Sequence, residues 1–149
     1  MRILYLLLSL FLSQSLMAQK GILVEYQRSS NNKILESQDP TLVYANAEQT
    51  VITSRKIVNG EAKTPYEVFV VKRPFNAYYK LTQITAQQQI ATIDSSAINK
   101  QKLEITTESK KILGYTCYRA RTTVNSNSID IWYTTELKIK GGPSDLGQN

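Results

Sequence analysis

No stretch of this chain keeps an apolar stripe at helical spacing for as long as ten residues. A fold without helices of that length must bury its apolar surface in strands, and strand signals recur along the sequence. "GILVEYQRS" (21–29), "TLVYA" (41–45), "QTVITSRKIV" (49–58) and "TPYEVFVVKRP" (64–74) are rich in β-branched and aromatic residues. "NAYYKLTQI" (76–84) and "QQIATID" (88–94) read as a hairpin, and extended character resumes in "KLEITT" (102–107), "KKILGYTCYRARTTV" (110–124) and "SIDIWYT" (128–134). Pro65 and Pro74 bracket the fourth run, and Asn59-Gly60 carries the strongest short hairpin signal. Only "SSAINKQ" (95–101) suits a helix, of one or two turns. Eight or nine strands spaced by about ten residues predict an all-β fold, or mainly β with one short helix. The arrangement expected is a single antiparallel sheet, strongly curved like a half-barrel.

The N-terminus has a different character. Arg2 precedes an unbroken apolar run from Ile3 to Leu12, followed by "SQS" and Ala18. That is the layout of a secretory signal peptide over residues 1–18, with cleavage after Ala18 expected and Ser15 the alternative. The run is too short to span a hydrocarbon layer, which takes roughly 20 apolar residues, so no transmembrane segment remains in the mature chain. Export to the periplasm, the outer membrane or the medium follows. Residues 19–149 read as one β-rich domain. It keeps 17 basic and 12 acidic residues, with no basic run longer than a pair. Nucleic-acid binding, which needs a clustered basic stripe, is disfavoured.

The inventory of reactive groups is thin. There is no histidine, which removes the commonest general base and metal ligand. Cys117 is the only cysteine, so neither a thiolate metal cluster nor an internal disulfide can form, and it reads as a buried packing residue. Glu61, Glu67, Glu104, Glu108, Asp130 and Glu136 lie on or beside strands as ordinary solvated positions. "KGGP" (140–143) lacks the glycines and the helix of a phosphate loop. No catalytic residue, cofactor or metal is expected. Alternation sets Cys117, Arg119 and Arg121 on one face of 111–124 and Tyr118 and Ala120 on the other, with Gly114 as a candidate bulge. It also sets Trp132 with Asp130, away from Ile129, Ile131 and Tyr133.

Residues 108–143, "ESKKILGYTCYRARTTVNSNSIDIWYTTELKIKGGP", resemble the GLPGLI family of exported Bacteroidetes proteins, whose function is uncharacterised. The resemblance is carried by Lys111, Ile112, Leu113, Gly114, Tyr115, Cys117, Arg119 and Ala120, then Trp132, Tyr133, Thr134, Glu136, Leu137, Gly142 and Pro143. The stretch that names that family should follow Pro143, where this chain has "SDLGQN"; the resemblance therefore implies a member cut short before its final strands. With no catalytic group in view, the leading expectation is a non-catalytic carrier for a lipid or other apolar ligand. The alternatives are an interaction module that pairs with an envelope protein through exposed strand edges, and, last, a hydrolase using carboxylates alone.

Overall fold

The strands start and stop where turn chemistry requires. The computed structural model describes residues 21–94 and 102–143, apart from positions 32, 37 and 76. The expected leader, the short helix over 95–101 and the terminal "SDLGQN" lie outside the described residues. In chain order the elements are β1 (Ile22–Tyr26), β2 (Ser29–Ser30), β3 (Lys33–Ile34), β4 (Thr41–Ala45), β5 (Gln49–Ser54) and α1 (Arg55–Val58). They continue with β6 (Tyr66–Lys72), a 3-10 turn (Arg73–Phe75), β7 (Ala77–Gln83), β8 (Gln89–Asp94), β9 (Glu104–Ile112), β10 (Tyr115–Val124) and β11 (Asn127–Tyr133).

The mainly β architecture expected from the sequence is present and antiparallel throughout, but the single sheet is not. Three sheets form among the described residues: six strands ordered β1-β4-β5-β6-β7-β8, three ordered β11-β10-β9, and the small pair β2-β3. Two tight turns explain the split. Leu113 (φ 50°) and Gly114 (φ 87°) join β9 to β10, and Asn125 (φ 47°) and Ser126 (φ 65°) join β10 to β11. Paired positive φ values match the twist of the flanking strands, so β10 takes both partners from its sequence neighbours. No ladder links β8 to β9, and β1 and β8 remain unjoined edges, so the described strands close no barrel. Gly114 is thus a hairpin turn rather than a bulge.

Asn59-Gly60 also does something other than expected. The strand read over 49–58 ends at Ser54, whose Oγ accepts a bond from Ile57 N–H and caps α1. Gly60, at φ 73°, lets the chain leave that short helix, with Glu61 N–H bonding back to Lys56 carbonyl at 2.8 Å.

Burial is concentrated on one face of the six-stranded sheet. Cross-strand register lines up Ala45, Thr50 and Val71, and beside them Val43 and Ile52. All five are at most 4% exposed. Burying an aliphatic side chain of this size is worth about 1.5–3 kcal/mol, which makes this row the centre of stability. Thr50 is tolerated there because its hydroxyl donates to Lys140 carbonyl at 3.2 Å and accepts from Arg73 at 2.6 Å. Arg73 also donates to the carbonyls of Asn46 (2.8 Å) and Lys140, which straps the segment after β11 onto the first sheet. A Cβ at Gly141 would come within 3.0 Å of Ala45 and Thr50, so only glycine passes here without displacing a neighbour.

Candidate functional site

The second sheet has an unusual outer face. Register opposes Arg119 to Trp132, Arg121 to Asp130 and Cys117 to Lys110, so these side chains share one side of the three strands. The opposite side carries Tyr118 against Tyr133, with ring centroids 6.2 Å apart, and Ala120 against Ile131 and Ile105. Ala120 is fully buried, so the tyrosine side faces inward there and the arginine side faces out. The pairing with β9 shifts register between Tyr118 and Ala120, which brings Glu108 within reach of Arg119.

Arg119 is the hub of that outer face. It donates to both oxygens of Glu108 at 2.7 and 2.6 Å and to Asp130 at 2.6 Å. Arg121 donates to the other oxygen of Asp130 at 3.1 Å. Hydrogen bonds from Arg119 first, then Arg121, hold the Asp130 carboxyl below its usual range, and the two carboxylates push the Arg119 guanidinium further toward its protonated form. Arg119 is the least exposed member, at 18%, and its Nε has no partner. The ammonium of Lys110 sits 3.9 Å over the indole of half-buried Trp132, a cation–π pair.

The chemistry open to this group is recognition. Asp130 stays ionised at neutral pH and so accepts hydrogen bonds; it has no proton to give. A flat indole beside two guanidiniums, an ammonium and two carboxylates can stack on the C–H face of a sugar ring and bond the hydroxyls at its rim. Among the described residues, no group of three His, Cys, Asp or Glu side chains is placed to hold a metal ion.

The residues singled out from the sequence fall as follows. Lys111 and Ile112 end β9, Gly114 turns, and Tyr115, Cys117, Arg119 and Ala120 lie along β10. Trp132 and Tyr133 close β11; beyond it, the Glu136 carboxylate accepts Thr116 N–H at 3.0 Å and so extends the ladder past the last residue of β11. One sheet gathers all of these, together with Thr134. Gly142 is buried and, like Pro143, leaves with the segment strapped by Arg73. Cys117 is buried, as expected of a packing residue. Two carboxylates read as merely solvated, Glu108 and Asp130, prove to be ion-paired; alternation placed Asp130 beside Trp132, but no local signal tied Glu108 to Arg119. Arg73 was missed entirely, because its partner lies 67 residues away.

The family model that matches, over residues 24–149, is described as "N-glycanase peptide, N-terminal domain". Among solved structures, two of PNGF-II in different space groups superimpose with TM-scores of 0.82 and 0.83 at 38% and 37% identity. They cover 86% and 87% of this chain, which spans only 23% and 24% of theirs. No curated protein matches. These findings overturn the resemblance to the GLPGLI family, whose motif positions are here the hairpin turns and cross-strand pairs of a three-stranded sheet. They also overturn the exclusion of enzymatic function and the apolar carrier that rested on it, and the strand-edge module gains no better support. The exclusion failed for a physical reason. Missing histidines in a stretch matching a quarter of a relative say nothing about the other three quarters of that relative.

Proposed function

Because the chain belongs to the N-glycanase N-terminal-domain family, we propose that it serves an enzyme acting on N-linked glycans, and that the outer face around Trp132 meets the glycosylated substrate. The observation that carries the second part is the half-buried indole set among Lys110, Arg119 and Asp130 on an outward sheet face. A sugar stacked on the ring would take the place of the Lys110 ammonium, and that ammonium would be free to bond a ring hydroxyl. Asp130 and Glu108, fixed by Arg119, present acceptors that need no reorganisation on binding, which lowers the ordering cost of recognition. The leader-like run from Ile3 to Leu12 supports export, where such glycoproteins are met.

The test is a calorimetric titration of the chain with an N-glycosylated protein and with the same protein after its glycans are removed. Binding to the first and not the second is expected, and Trp132→Ala should weaken it at least tenfold. Equal binding to both forms overturns the assignment of this face to the glycan.

A further inference from the structure

The six-stranded sheet has a second face, and it is bare. Register aligns Leu23, Tyr44, Val51, Val70, Tyr79 and Ile93 in a single row, one residue from every strand. Leu23 is 66% exposed, Ile93 64% and Tyr44 38%, and the other three are only half-buried. Five strand spacings of about 4.8 Å make this row about 24 Å long, with no charge along it. Val68, Leu81 and Ala91 widen it on one side, and Glu25 and Lys72 stand at its margins. A contiguous apolar strip of this extent marks a surface that another surface covers.

Two observations decide what covers it. The solved relatives carry roughly three quarters of their chain outside the segment that this chain matches, so in such chains the sheet is tethered to a large body of polypeptide. Tethering raises the effective concentration of a covering surface to about the millimolar range. A second copy is the poorer candidate, because each chain has a net charge of +6 and the two would repel. We propose that the row from Leu23 to Ile93 is the docking face for the remainder of an N-glycanase chain, packed against it in cis. This inference rests on the family reading and not on the glycan-binding role of Trp132.

The experiment replaces the matched segment of PNGF-II with this chain and compares the chimera with the chain alone, both carrying Cys117→Ala. Val70→Cys is then labelled with a maleimide. Labelling should be fast in the chain alone and at least tenfold slower in the chimera. Leu113→Cys, at a site 90% exposed on the other sheet, should label equally in both. Leu23→Cys, on the edge strand β1, repeats the reading if a substitution at Val70 disturbs folding. Equal labelling of the row in both proteins overturns the proposal. So does protection in the chain alone that grows with its concentration, since that assigns the face to a second copy. A protected row in a chimera whose Trp132→Ala variant still binds glycoprotein normally would sink the glycan-binding role and leave the docking face standing.

Discussion

The two larger sheets use the same pleat for opposite ends. In the six-stranded sheet, one face buries Val43, Ala45, Ile52 and Val71 while the other leaves an uncharged row uncovered. In the three-stranded sheet, the inner face carries Ala120 and paired tyrosines, and the outer face is an ion-paired lattice around Arg119. The difference teaches where stability resides. Dispersion and desolvation hold the first sheet, whereas exposed ion pairs add little and mainly fix side chains in place.

Substitutions can break that contrast. The largest effect is expected from Ile52→Ala, which opens a cavity in the buried row and should cost about 2–5 kcal/mol in denaturant unfolding. Next comes Arg73→Ala, which leaves the carbonyls of Asn46 and Lys140 short of a donor. It should cost about 1–3 kcal/mol and speed amide exchange around residues 140–142. Gly114→Ala places a side chain at φ 87° and should cost about 1–2 kcal/mol. A loss as large from Arg119→Met as from Ile52→Ala would erase the distinction between the sheets, since exposed pairs are worth about 0–1 kcal/mol.

Acid sharpens the same comparison. The folded-state pKa of Asp130 is depressed, so its contribution is complete above the ordinary carboxylate value of about 3.9 and is lost as pH falls through the folded value. Arg119→Met should bring that carboxyl back toward the ordinary value, visible in an NMR titration of Asp130. At the other extreme, burial raises the Tyr26 phenol on β1, so the stability it contributes is present below its ordinary value of about 10 and is lost as pH rises above it.

Legibility in the sequence tracked how local each cause is. β4, β6, β7 and β8 were readable because period-two alternation and flanking Pro65 and Pro74 act within a few residues. The side of β10 shared by Arg119, Arg121, Asp130 and Trp132 was readable for the same reason. The Leu113-Gly114 turn was not, because leucine rarely accepts positive φ and gives no turn signal. Asn59-Gly60 misled because a helix end and a hairpin both call for a residue with positive φ. Which strands pair across the chain, and where Arg73 finds Lys140, depends on contacts that no short window contains.

The account turns on whether the outer face of the three-stranded sheet, rather than the bare face of the other, meets the glycan. Trp132 is the only tryptophan, so its emission reports on that face alone. Titrating the chain with an N-glycopeptide should change the emission saturably, while the same peptide without its glycan leaves it unchanged, and Lys110→Ala should shift the midpoint. An emission indifferent to the glycopeptide, at concentrations where calorimetry detects binding, would contradict it.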